Sequence, residues 1–382
     1  MAIGVLHVCD KFGVAGSSIH GVSRLFAWWF PRFDPARFAV SLVGLKKSEP
    51  ASQKLVEQGV PVLHLGRGRF DPRIVTDLVA IARARGARIL HVHGYAAADF
   101  GRLAARVVGA RLVLHEHFAD PRMPAYQALA DRLLAPLTHR AIAVSGSTRD
   151  FLVRERHVPE RLVRLIWNGA PLDEFAPVSR ERALRVRREL LIPEEAPVVG
   201  AIGRLNTQKG HTYLLEAAPR ILQADGRTFF LIVGDGDLMD PLRQQARALG
   251  LGDRVRFAGH RSDVPDVLGA IDVLAIPSLY EGTPLALFEA MAAGKAIVSS
   301  AVDGCAEVLE HGRTALLVPP RDKDALAAAI GTLLADPDQR RALSEAARAA
   351  SRAYDIATCV ARMQDLYDEV LAADVPRRPG GA

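Results

Sequence analysis

Along almost its whole length the chain alternates short apolar runs with segments of helical period, a pattern that leads to βαβ units and parallel sheets. Apolar runs at residues 3–8, 38–42, 60–63, 89–92, 111–114 and 141–144 predict strands of one sheet. A second series follows at 198–202, 229–233, 255–258, 273–275, 296–299 and 315–318. Because 382 residues exceed what one core usually supports, the two series imply two doubly wound α/β domains. The first is expected over 1–176 and the second over 177–353. Charged, proline-bounded residues 177–197 are read as a linker with an opening helix. An alanine-rich helix is expected at 326–351 and an amphipathic one at 356–371, before a disordered tail over 372–382.

Ligands of open parallel sheets bind beyond the carboxyl ends of the strands, so the residues just after each strand carry the functional information. After the first strand comes a glycine loop, Lys11 to Ser18, whose Gly13, Gly16 and Ser17 suit the floor of a substrate cleft. It has no acidic residue closing the following strand, so it is not a dinucleotide fingerprint. The loop opening at Gly203 supplies two cations, Arg204 and Lys209, able to neutralise phosphate. Gly234-Asp235-Gly236 reads as a strand-to-helix turn, with Asp237 capping the next helix. The nonapeptide Glu281-Gly282-Thr283-Pro284-Leu285-Ala286-Leu287-Phe288-Glu289 places two carboxylates astride a helix start. Thr283 is the expected N-cap and Pro284 the first helical residue, with Gly294 as the stop. Backbone N–H groups between 283 and 286 would then offer an anion site between hydroxyl acceptors.

Two strands end in His-x-His, His91-Val92-His93 and His115-Glu116-His117. Alternation puts each pair on one strand face, so a metal-dependent hydrolase is an alternative. Glu116 points away from its flanking histidines, and a histidine serving as hydrogen-bond donor in a cleft is the favoured reading. The charge is uneven: residues 1–175 hold 24 Lys and Arg against 15 Asp and Glu, a surplus of nine, while the remainder is net acidic. A basic half invites an anionic partner, a phosphorylated substrate or a membrane surface. Nucleic acid is disfavoured because the arginines are not interleaved with stacking aromatics. Cys9, Cys305 and Cys359 are far apart and odd in number, which argues against a disulfide framework and for a reducing cytoplasm. No membrane span or basic n-region is evident. The run Leu25-Phe26-Ala27-Trp28-Trp29-Phe30, flanked by Arg24 and Arg32, either touches a lipid surface or packs on the sheet, and packing is favoured.

Gly203-Arg204 with Lys209-Gly210, Gly234-Asp235-Gly236, residues 255–259, Pro277-Ser278, the Glu281 to Glu289 element and Gly304 to Glu307 form an ordered series. It resembles the nucleotide-sugar domain of retaining glycosyltransferases of family 4, with Asn168-Gly169 and the opening glycine loop extending the resemblance over nearly the whole chain. The resemblance implies a GT-B fold, two Rossmann-like domains facing a cleft, with the last helix returning to the first domain. It implies that Arg204 and Lys209 hold the diphosphate of a nucleotide-sugar donor, a UDP-sugar or GDP-mannose, with Glu281 on the sugar and Glu289 on the ribose. Gly16, Gly203, Gly234, the backbone near Arg256, Phe257 and Gly259, and Gly282 through Leu285 would complete the donor site. His117, with His93, Gly13 and Ser17, would face a sugar, lipid-linked or phosphorylated acceptor. No metal or other cofactor is implied. A cytoplasmic protein, with peripheral contact to an anionic membrane, is the corresponding expectation. Asp173 falls two residues later after Asn168-Gly169 than the family pattern has its acid.

Overall fold

The computed structural model describes residues 2–13, 21–120 and 123–372. The chain forms two compact units, Met1–Trp167 together with Ile356–Ala382, and Asn168–Asp355. The first holds a seven-stranded parallel sheet of β1 (Ile3–Cys9), β2 (Phe38–Gly44), β3 (Val62–His64), β4 (Ala87–His93), β5 (Arg111–Glu116), β6 (Arg140–Ala143) and β7 (Val163–Leu165). Its order is β3-β2-β1-β4-β5-β6-β7, so the winding reverses between β1 and β4. The second unit carries β8 (Val198–Ile202), β9 (Phe229–Val233), β10 (Val255–Gly259), β11 (Val273–Ile276), β12 (Ala296–Ser300) and β13 (Leu316–Val318) in the order β10-β9-β8-β11-β12-β13. Here the reversal lies between β8 and β11. Such switch points are where the carboxyl edge of a parallel sheet opens a crevice.

In the first sheet the pleat sorts two kinds of side chain onto opposite faces. Leu6, Val8, Leu90, Val92, Leu112 and Leu114 belong to one aliphatic core cluster. The intervening His7, His91, His93 and His115 therefore share the other face, and all are buried. That face is covered by the helix Gly21–Trp29, whose Phe26 and Trp29 have no exposed surface. Burying a side chain the size of Phe contributes roughly 1.5–3 kcal/mol. Trp28 is also buried, with Arg24 over its ring at 4.8 Å and Arg32 Nη1 donating to its carbonyl. The aromatic run thus packs on the sheet and offers no indole to a lipid surface. Among the described residues no helix is long and apolar enough to cross a membrane.

The helix Ile356–Ala372 completes the same face of the first unit. Its Tyr367 is fully buried, Gln364 Oε1 accepts from the Asp34 N–H at 3.0 Å, and Asp368 and Glu369 pair with Arg37, Arg140 and Arg164. The second unit begins at Asn168 rather than at 177, because the Ala170 N–H donates to the Tyr354 carbonyl and Ala170 bridges to Asp355. A helix does open that segment, Arg180–Glu189, with Ser179 as its N-cap. The expected helix over 326–351 is two helices, Lys323–Ala335 and Pro337–Ser351. Asp336 caps the second through its side chain and Pro337 occupies its first turn, which a continuing helix could not accommodate.

Candidate active site

The end of β8 leads through Gly203 and Arg204 to Lys209, where Gly210 (φ +65°) turns the chain into the helix His211–Ala224. Lys209 Nζ lies 2.6 Å from Glu281 Oε1. Ser278 Oγ donates to the same oxygen at 2.7 Å, and Gln208 Nε2 approaches Oε2 at 3.5 Å. The Glu281 N–H donates to Asp303 Oδ2 at 2.8 Å. The residues assigned to the diphosphate and to the sugar of one ligand are thus already partners. Lysine has three donors, so this contact leaves two for another anion. Arg204 is half-buried in the same loop as Lys209.

Close backbone contacts bring these loops together. A Cβ at Gly234 would fall 1.9 Å from the Gly203 carbonyl oxygen, and one at Gly304 would fall 1.8 Å from that of Gly282. Glycine is required at both for the loops to meet. The helix after Glu281 runs Leu285–Ala292, and Pro284, in extended backbone, is its N-cap. Thr283 is therefore not the cap: its hydroxyl accepts from Asn168 Nδ2 at 3.0 Å. Pro284 also has no N–H to give, which narrows the expected anion site, and the helix starting at His211 adds a second N-terminus beside Lys209. Glu281 is 5% exposed but Glu289 is 0% exposed, so direct contact of Glu289 with a ribose requires its carboxylate to be uncovered. Arg256 turns its guanidinium to the carbonyls of Leu190, Leu191 and Asp253, leaving only backbone to line a site. Phe257 packs against the core beside it, and Gly259 accepts from the Gly234 N–H. Asp235 Oδ1 accepts from the Gly236 N–H. Asp237 caps nothing, since Leu238 is the N-cap of Met239–Ala248 and receives no side-chain bond.

In the first unit Gly16 and Ser17 lie outside the described residues. Gly13 and Phe12 donate their N–H groups to Glu49 Oε2 at 2.9 and 3.0 Å. At the end of β1, Asp10 accepts from the Ala96 and Ala97 N–H groups and so holds the start of the helix Tyr95–Val108. Burial raises the Asp10 pKa despite those bonds. Glu116, on the face away from the histidines, pairs with Arg156 at 2.5 Å, and Arg156 and Arg102 both grip buried Asp131.

The histidines form an array that the sequence did not reveal in full. His7 of β1 stands in register with His91 of β4, and His93 with His115 of β5. Tyr367 Oη lies 2.5 Å from His91 Nδ1 and 3.3 Å from His7 Nε2. One branch continues from His91 Nε2 to His115 Nδ1 at 3.1 Å. The other runs from His7 Nδ1 to His93 Nε2 at 3.2 Å and from His93 Nδ1 to His117 Nε2 at 3.0 Å. Burial lowers the His7 pKa to about 3. Burial, joined by neighbouring imidazoles, holds His91, His93 and His115 well below their ordinary value, so all are neutral. His117, half-buried at the strand end, is the member nearest the carboxyl edge.

Two family models divide this chain between them: one described as glycosyl transferases group 1 matches residues 184–350, and one described as Glycosyltransferase Family 4 matches residues 21–174. The chain belongs to the family 4 glycosyltransferases. This glycosyltransferase is 26% identical over 368 residues to the UDP-Gal:alpha-D-GlcNAc-diphosphoundecaprenol alpha-1,3-galactosyltransferase of Escherichia coli, covering 92% of its own length and 95% of that chain. It is 28% identical to the alpha-D-kanosaminyltransferase of Streptomyces kanamyceticus, covering 76% and 79%. Among solved structures, Anabaena HepE in complex with UDP matches the glycosyltransferase with a TM-score of 0.83 at 23% identity, over 96% of this chain and all of that one. The likeness is one of GT-B fold.

Proposed function

We propose that the chain moves a sugar from a nucleoside-diphosphate sugar to a hydroxyl acceptor with retention of configuration and without a metal ion. The observation that carries this reading is the Lys209–Glu281 pair, set with Ser278 and Asp303 at the carboxyl edge of the second sheet beside two helix starts. Lys209 keeps one bond to Glu281 and turns its other donors to the diphosphate, with Arg204 as the second cation. Glu281 then receives hydroxyls of the donor sugar. As the bond from the anomeric carbon to the phosphate oxygen breaks, that oxygen takes the acceptor's proton, and the acceptor oxygen bonds the anomeric carbon on the same face. Charge develops on the leaving diphosphate, where these cations and helix termini are already fixed, so stabilisation is electrostatic and needs no protein nucleophile.

A UDP-sugar is the favoured donor, supported by the UDP-Gal in the name of the Escherichia coli relative and the UDP bound by HepE. The acceptor is assigned to the first unit, at Gly13, His93 and His117. The relative's diphosphoundecaprenol acceptor supports a lipid-linked or phosphorylated one. Thermal-shift measurements with UDP, GDP, ADP and their sugars test the reading. A nucleotide at a hundredfold excess over its dissociation constant should add about 2.7 kcal/mol of apparent stability. A UDP-sugar should raise the melting temperature of the wild type and fail to do so in Arg204→Ala. Absence of any shift with every nucleotide rejects the proposal.

A further inference from the structure

We propose that His93, His115 and His117 form a binding site for a divalent transition-metal ion of the zinc type. The proposal does not rest on the transferase reading. One ring nitrogen from each of the three lies within 4.8 Å of the others. His115 of β5 and His117, just past its end, stand two apart, and their rings stack with centroids 4.4 Å apart. His93 is in register with His115 on the neighbouring strand. A His-x-His pair on one strand with a third imidazole from the next is an arrangement that supplies three nitrogens to one side of a tetrahedral ion.

Three features distinguish this group from an ordinary buried cluster. His115 Nε2 is buried and, among the described residues, has no hydrogen-bond partner. The 3.0 Å between His93 Nδ1 and His117 Nε2 is close to the nitrogen spacing around an ion bound at about 2.0–2.1 Å. The surroundings also brace the rings: Trp29 stacks on His115 at 5.3 Å, and His93 Nε2 meets His7 Nδ1. Such outer contacts orient metal-bound imidazoles. When an ion replaces the proton shared by His93 and His117, that proton moves to the other nitrogen of its own ring and both imidazoles stay neutral. A water or an anion would take the fourth position and offset the charge. A second trio, His7, His91 and His93, is wholly buried and shares His93, so it is the less accessible of the two. An all-imidazole set selects Zn2+, Co2+, Ni2+ or Cu2+ over Mg2+ and Ca2+. Because His117 is engaged, a bound ion withdraws it from the acceptor edge.

The test uses the full chain without a histidine tag, stripped with chelator, and titrated with Zn2+ by calorimetry and with Co2+ by visible absorption. The expected result is one saturable Zn2+ per chain, intense tetrahedral Co2+ bands and no Mg2+ binding. His115→Gln should weaken Zn2+ binding at least about tenfold while retaining its circular dichroism. His64→Gln, outside the group, should bind like the wild type. Failure of the wild type to bind Zn2+, weak octahedral Co2+ bands alone, or undiminished binding by folded His115→Gln overturns the proposal. The wild-type Co2+ spectrum decides the matter even where the variant does not fold.

Discussion

Replacing Lys209 by methionine removes the cation while keeping most of the side chain's bulk. Glu281 is 5% exposed and would retain the Ser278 hydroxyl at 2.7 Å and a long contact to Gln208. Breaking a fully buried ion pair costs about 3–5 kcal/mol. Lys209 is 22% exposed, so water reaches part of the gap and a loss of about 1–3 kcal/mol is expected. For a unit of this size each kcal/mol lowers the melting temperature by about 2–4 °C. Adding Glu281→Gln removes the stranded charge, so the double variant should recover most of that stability, and the cycle of four proteins gives the coupling directly. Activity should behave differently. Turnover should fall about 10²-fold or more in Lys209→Met and should not return in the double variant, since the contact with the leaving diphosphate is still missing. Melting curves and donor-release assays on the four proteins decide. A double variant no more stable than Lys209→Met refutes the structural account, and near-normal turnover in the single variant refutes the leaving-group account.

Acid should destabilise the first unit. His7, His91, His93 and His115 have pKa values lowered by burial, to about 3 for His7, so below their unfolded value of about 6.5 the unfolded chain binds more protons. Stability is then complete above that pH and declines as pH falls, by about 1.4 kcal/mol per unit for each imidazole that stays neutral. Urea midpoints that do not change from neutral to mildly acid pH would contradict this. Trp29→Ala removes a side chain with no exposed surface and should cost about 3–5 kcal/mol, read by thermal melting. Vesicle flotation should be the same for Trp29→Ala and wild type, and a loss of flotation in the variant would contradict the burial of the indole.

Much of the fold is legible because parallel strands buried on both faces are nearly continuous apolar runs, and those runs mark twelve of the thirteen strands. The exception, β7, is an edge strand with Arg164 at its centre and Leu165 40% exposed, so it shows no continuous apolar run. The Asp336-Pro337 break is hidden by alanines that favour helix on both sides. In the site, Arg204, Lys209 and Glu281 are visible because they fall in the loops that follow strands of a parallel sheet, where ligands bind. The contacts of Ser278 and Asp303 to Glu281 are not, since they depend on how neighbouring loops meet. Thr283 has the chemistry of a cap, but a tertiary partner, Asn168, takes its hydroxyl. His7 looks like a lone polar residue in an apolar strand. Only the order β1-β4-β5 shows that it shares a face with the two His-x-His pairs.

The helix Ile356–Ala372 has a consequence for synthesis. Tyr367, almost at the end of the chain, completes the hydrogen bonds of His7, almost at its beginning. During translation the first unit's histidine face therefore emerges with the helix Gly21–Trp29 over it but without the rest of its cover, which follows only after the whole second unit has been made. The second unit, contiguous in sequence, can fold while the first is still waiting. Here the usual order of domain maturation is reversed, and a fragment ending at residue 167 would be an incomplete body rather than a separable half.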